Sequence, residues 1–306
     1  MTGGVNSWDK IIHSNWLFCT VFCHLPHFYY NCVMCGRFVQ VIDLELFVKR
    51  FGVSSAPEIH LASNYNVAAG DLAYVITNDK PGDLQAFRFG LTPSWAPKKM
   101  YLINARSEGD LNPENDVHYA GQLGIRNKPS FRTSIRSRRC LVIANGYIEG
   151  PEKERLNKPF LIQKKSEEVF CFAGIWDTWV DNTTGEMTNS FTIITTVANS
   201  VTQEIGHHRS PVVLDQKDEQ KWLDDSLPLE EVLGLLKPYP GEQFKAEVIS
   251  IKIKDPHNKS KDYIIPIDTN GPTEYGSIVT EDVKLQGMGS GKRKQEPPQE
   301  MQGRLF

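Results

Sequence analysis

The run VFCFAGIWDTWV at residues 169–180 is followed closely by NSFTIITTVA at 189–198. Both are crowded with β-branched and aromatic side chains, which are restricted at χ1 in a helix and pack well on a pleated surface. They read as strands, and much of the surrounding text reads the same way. GRFVQV (36–41), LAYVITN (72–78), LQAFRFGL (84–91), RCLVIANGYIE (139–149), KPFLIQ (158–163) and FKAEVISIKI (244–253) carry that signature. Helices are few. DLELFVKRFGV (43–53) is amphipathic with Asp43 placed as its N-cap, and helical text at 215–225 and 228–239 separates the last strand from the others. Regular alternation of strand and helix is missing, which argues against a doubly wound sheet. The expected fold is α+β: a single strand-dominated domain over residues 34–267, a curled and largely antiparallel sheet with a few peripheral helices.

The two ends differ from this middle. Residues 1–33 are rich in His, Cys and aromatic residues but show no period of 2 or 3.6. They read as an upstream extension, either preceding a start at Met34 or removed as a pro-segment. WLFCTVFC (16–23) imitates a signal peptide weakly, with one lysine before it and no small-residue cleavage site after it. Residues 268–306 end in GMGSGKRKQEPPQEMQGRLF, too poor in apolar residues to fold alone, and are expected to be a disordered tail.

With 306 residues the chain can bury a sizeable core. Its formal net charge of -3 supplies no global attraction to nucleic acid, so any DNA site must be a local patch. Six cysteines in a chain this long make no disulfide framework; Cys140 and Cys171 sit in apolar runs and read as packed core residues. No stretch approaches the ~18 apolar residues of a membrane span, and a cytoplasmic, reducing setting is expected.

P-loop, HExxH and GxSxG signatures are absent. Polar residues instead sit at unusual places in strand-like text. INARSE sets Asn104 and Arg106 after an apolar run; NGYIEG puts Glu149 at the end of one; IGHHRSPVVL places His207, His208 and Arg209 before another. Taken singly, these are a loop amide, a solvated carboxylate and a surface histidine pair. Together with a cysteine they would supply a nucleophile, an orienting amide and two proton-transfer groups. At NCVMCGRF (31–38) two readings compete. Cys32 and Cys35 form a CxxC pair, or the protein begins chemically after Met34 and Cys35 is its N-terminal residue. Cys19, Cys23, His24, His27, Cys32 and Cys35 are dense enough to raise zinc, but they lack the two separated ligand pairs of common fingers. No metal or cofactor is expected.

MCGRF, NYNVAAG, GLTPSW, NARSE, SFR, RRCLVIANGYIEG, GIWDTW, FTIITTVAN and HHRSPVVL follow one another from Met34 to about residue 225. In that order and spacing the chain resembles the SOS response-associated peptidase family, whose members are also called abasic-site processing proteins. The resemblance implies catalytic roles for Cys35, Asn104, Glu149 and His207, and DNA contacts from Arg37, Arg106 and Arg209. It implies covalent capture of abasic sites in single-stranded DNA by an N-terminal cysteine, in a DNA-repair, SOS-response setting. A reversal or lyase-like activity and self-cleaving peptidase activity at Met34–Cys35 come with it. The chain departs from the family pattern at Gly150 and Phe89, where tryptophan is usual, and at Ser210, where methionine is.

An N-terminal cysteine suits such chemistry. Its α-amine, with a pKa of about 7.7–8.0, is substantially neutral at physiological pH and can form an imine with the open sugar aldehyde. The thiol then closes a thiazolidine, which an internal cysteine cannot do. The alternatives are a cysteine peptidase acting on other proteins and a non-catalytic, clamp-tethered DNA-binding module.

GIRNKPSFRTSIRSRR (124–139) carries Arg126, Lys128, Arg132, Arg136, Arg138 and Arg139 without an acidic residue. Beside the resemblance it becomes a phosphate track, with Trp95 and Phe89 as base-stacking or wedge groups. The closing Gln302-Gly303-Arg304-Leu305-Phe306 resembles the short peptide by which bacterial repair proteins dock on the sliding clamp. Gln302, Leu305 and Phe306 are its expected anchors.

Overall fold

The computed structural model describes residues 36–54 and 58–267. The segments 1–33 and 268–306 therefore lie outside the described residues, as do Cys35 and the clamp-like peptide. Among the described residues the strands are β1 (Phe38–Gln40), β2 (Asn64–Val67), β3 (Leu72–Thr77), β4 (Gln85–Phe89), β5 (Asn104–Arg106), β6 (Arg139–Ala144) and β7 (Gly146–Glu149). They continue with β8 (Phe160–Lys164), β9 (Phe170–Val180), β10 (Met187–Val197), β11 (Arg209–Pro211), β12 (Val213–Leu214) and β13 (Phe244–Val248). The helices are α1 (Leu44–Phe51), α2 (Ser134–Ser137), α3 (Ser200–Glu204), α4 (Gln216–Leu223) and α5 (Leu229–Leu233). None is long and apolar enough to cross a membrane.

The long strands β9 and β10 pair antiparallel from Val180↔Met187 to Gly174↔Ile193. On its other edge β9 pairs β6, which pairs β3, which pairs β4, all antiparallel. Strand β4 then runs parallel to β10, with Phe89 beside Phe191. The sheet expected to curl is thus closed into a barrel of five strands, which removes its edges. β5, β11 and β12 attach to its longer strands.

A second, wholly antiparallel sheet, in the order β13-β8-β7-β1-β2, packs against the barrel. This arrangement explains why RCLVIA and VFCFAGI show no alternation. Cys140, Val142, Phe170 and Phe172 share one core with Phe38, Tyr147 and Phe244 of the second sheet. Leu141, Ile143, Cys171, Ala173 and Ile175 face a core closed by Phe47 of α1, Trp222 of α4 and Val232 of α5. Strands covered on both faces read as unbroken apolar runs, and each large side chain so buried contributes about 1.5–3 kcal/mol.

Helix α1 begins where Asp43 accepts the Leu46 N–H at 2.9 Å. It ends at Gly52, whose φ of 68° suits glycine and whose N–H reaches the Val48 carbonyl. The continuous strand expected over 139–149 is two strands in different sheets. At Asn145 the chain leaves the barrel for the second sheet, its Oδ1 accepting the Val41 N–H at 2.7 Å and its own N–H donating to Val39 O at 2.9 Å. FKAEVISIKI is likewise strand only to Val248; Ser250 then caps a 3-10 turn over Ile251–Lys254.

Candidate functional site

Two places where strands end bring the singled-out residues together. The first lies around the C-terminal half of β10. On one flank β5 runs parallel to it, Asn104 beside Ile193 and Arg106 beside Thr195. On the other flank β11 runs antiparallel, Arg209 beside Val197. Glu108, just past β5, spans the gap and takes Arg209 Nη2 on its Oε2 at 2.8 Å, with Thr195 Oγ1 at 3.2 Å from the same nitrogen. Both members of this ion pair are buried. Arg106 is half-buried and donates to the Asn112 carbonyl. Asn104 is buried on β5.

The second place is the end of β7. Glu149 closes that strand, and His207 arrives from the turn after α3. Ser210 holds that turn: its Oγ accepts the Asn199 N–H at 3.0 Å and lies 2.6 Å from Thr202 Oγ1. Glu149 Oε2 and His207 Nε2 are 3.6 Å apart, with both side chains buried. His207 Nδ1 is 3.0 Å from the Gly150 carbonyl. Its ring stacks on His208 at a centroid distance of 5.0 Å, and His208 Nδ1 lies 3.5 Å from Glu152.

Burial pushes the His207 pKa down to about 4, and the neighbouring charges of His208 and Arg209 act in the same direction. Burial also lowers His208, with Glu152 opposing and Arg209 and Arg106 reinforcing, which places both arginines within electrostatic reach of the histidine pair. His207 is therefore neutral near pH 7, and its contact with Glu149 is no salt bridge. A buried carboxylate and a neutral imidazole face each other here, the two residue types used for general acid–base work.

Several sequence expectations require correction. Phe89 is fully buried, stacked on Phe191 at 5.3 Å, and cannot serve as a wedge. Arg37, expected to contact DNA, is half-buried with its guanidinium engaged by the protein itself. Its guanidinium donates to Asn66 Oδ1 at 2.8 Å, Ile253 O at 3.2 Å and Lys254 O at 3.1 Å. Arg209, buried against Glu108, offers no exposed surface to a phosphate. Arg139 is a structural staple: its guanidinium binds the carbonyls of Ile135, Arg136, Trp222 and Asp224 and the Asp225 carboxylate.

The rest of the basic run is partly neutralised, Arg126 by Glu230 and Lys128 by Asp110. Arg132 and Arg136 stand exposed. Arg138 is paired with Asp177, whose other oxygen accepts the Ser94 N–H at 2.8 Å. That carboxylate thereby joins Arg138 to the loop of Trp95, which is 59 % exposed. Glu108 and Asp177, both overlooked in the sequence, were visible only as the acidic members of INARSE and GIWDTW.

A closed barrel carrying a buried carboxylate–imidazole pair at the end of β7, and an exposed indole whose loop is tied through Asp177 to Arg138, defines a barrel protein with a buried polar site and an exposed aromatic surface. The family model described as SOS response associated peptidase matches residues 34–256, and the chain belongs to that family. It is 31 % identical over 238 residues to the abasic site processing protein YoqW of Bacillus subtilis (strain 168), covering 76 % of this chain and 99 % of that one. Identity to the abasic site processing protein YoaM of the same organism is 30 %, over 76 % of this chain and 97 % of the relative. A crystal structure of a protein from Bacteroides thetaiotaomicron superposes with a TM-score of 0.63 at 31 % identity, covering 76 % of this chain and all of the other.

Proposed function

We propose that this protein processes abasic sites in single-stranded DNA by covalent capture, with Cys35 as its mature N-terminus. The α-amine of Cys35 adds to the ring-opened sugar aldehyde and expels water to give an imine; the thiol then adds across the C=N bond and its proton passes to nitrogen. One water leaves in all, and a thiazolidine remains. The observation that carries this reading is the buried Glu149–His207 pair at 3.6 Å, in a chain whose family match begins at Met34, directly before Cys35. Dehydration needs a proton delivered to the departing hydroxyl, and ring closure needs one removed from sulfur; the pair can hold and return it. Asn104 is assigned to orient the amine or the sugar. Arg106 and Trp95, with Arg132, Arg136 and Arg138, are assigned to the strand. Reversal of the adduct uses the same proton transfers backwards.

Exposure of the amine requires that residues 1–34 be absent, either because Met34 is the start and is trimmed, or because the Cys35 thiol attacks the Met34 carbonyl and hydrolysis follows. Intact mass of the purified protein distinguishes a chain beginning at Cys35, which both routes give, from an unprocessed one. Mixing the protein with an oligonucleotide that carries one abasic site should give an adduct stable in denaturant, lost in Cys35→Ala. A Cys35→Ala protein that still forms the adduct would refute the reading. Docking on the sliding clamp through Gln302, Leu305 and Phe306 is a separate proposal. Deleting residues 302–306 should abolish capture of the clamp in a pull-down and leave adduct formation intact.

A further inference from the structure

Directly after Glu149 the chain has Gly150, and the structure gives a reason that a side chain is excluded there. A Cβ at residue 150 would lie 1.8 Å from the carbonyl oxygen of Arg155 and 2.5 Å from its carbonyl carbon. These are backbone atoms, which cannot swing aside as the tip of a side chain can. The segment 151–158 therefore folds back over Gly150. Arg155 adopts a φ of 54° to do so, and the Glu152 N–H ties the start of the segment to Gly206 O at 3.0 Å, one residue before His207. The carbonyl beneath this strap is the one 3.0 Å from His207 Nδ1.

A carbonyl oxygen can only accept, so Nδ1 must carry the proton. In the neutral ring Nε2 is then bare, and Nε2 is the atom that faces Glu149. We propose that Gly150 is a positioning residue: its bare Cα lets the strap 151–158 close over it, and its carbonyl holds His207 in the one tautomer that points a basic nitrogen at Glu149. The role of that nitrogen rests on the proposed function; the tautomer does not.

The test uses full-length protein labelled with 15N at histidine. Long-range 1H–15N correlation spectra near pH 7 read the tautomer, with His207→Gln identifying the signal. Wild type should show Nδ1 protonated and Nε2 bare. In Gly150→Ala the strap and carbonyl are displaced, so the tautomer should become mixed and abasic-site capture should slow roughly ten- to hundredfold. Arg155→Gly keeps the positive φ at no steric cost and should behave as wild type. The double variant gives the residue 155 carbonyl freedom to turn away, so the wild-type tautomer and capture rate should largely return. A Gly150→Ala protein with unchanged tautomer and rate overturns the inference. So does a double variant that folds yet keeps the mixed tautomer. Should Gly150→Ala fail to fold, the double variant alone decides. If wild type captures no abasic site at all, the functional reading falls, while the tautomer measurement still judges this one.

Discussion

At the residue scale, His207 makes the protein's stability answer to acid. Its imidazole titrates at about 4 in the folded chain, against about 6.5 when unfolded. Between those values the unfolded chain binds more protons, so stability rises with pH across the window and is lost as pH falls through it. The contribution is nearly complete by about pH 7.5 and amounts to roughly 3 kcal/mol, at about 1.36 kcal/mol for each unit between the two values. The charges of His208 and Arg209 oppose protonation of the same ring. Urea unfolding at pH 7 and pH 4.5 should therefore show a steeper loss for wild type than for His207→Gln; equal losses would place the acid sensitivity elsewhere. The residues of this pair were legible one at a time, Glu149 closing an apolar run and His207 opening one. Their meeting was not, because a pairing between β7 and the turn after α3 is set by topology that no local pattern encodes. Glu108 was missed for the opposite reason. An acidic residue in a loop reads as solvated until the buried Arg209 beside it is seen.

At the scale of elements, the long strands announced themselves and the short ones did not. β9 and β10 each run eleven residues of β-branched and aromatic text. β5, β11 and β12 span two or three residues and offer no periodicity, yet β5 and β11 carry Asn104, Arg106 and Arg209. The break at Asn145 was invisible because both flanking strands are apolar on both faces. What holds the two sheets in register across that break is Gln40, a buried polar residue on β1. Its Nε2 donates to Tyr74 O at 2.9 Å and Ile143 O at 2.8 Å, and its Oε1 accepts the Tyr74 N–H at 2.8 Å. The β3–β6 pairing runs from Val75↔Val142 to Thr77↔Cys140, so Tyr74 and Ile143 lie just past its end, where Gln40 bonds their backbone groups. Replacing it with leucine keeps the bulk and abandons three buried groups, at about 3–5 kcal/mol. Denaturant titration of Gln40→Leu should show a lower midpoint with an unchanged slope; a loss below 1 kcal/mol would mean that the sheets register without it.

At the scale of the whole molecule, charge decides how DNA is approached. A chain of net charge -3 gains nothing from its overall field, and the basic run of 124–139 is smaller than its sequence implies. Arg139 is buried, and Arg126, Lys128 and Arg138 each face a carboxylate. The exposed remainder is Arg132 and Arg136, where Arg136 is held in place by the carbonyls of Arg126 and Arg132. Non-covalent affinity for single-stranded DNA should accordingly fall with salt by only a few counterions. Each phosphate contact removed lowers the slope of log K against log salt by about 0.7, so Arg132→Ala with Arg136→Ala should lower it by about 1.4. Trp95→Ala removes a stacking surface instead of a charge, so it should weaken binding by about 1–3 kcal/mol at every salt concentration and leave the slope alone. Neither change touches the buried pair of Glu149 and His207, so an adduct, once formed, should survive high salt in all these proteins. Fluorescence anisotropy with an undamaged oligonucleotide across a salt series separates the two effects. A double arginine variant with the wild-type slope would move the phosphate path off this face of the barrel.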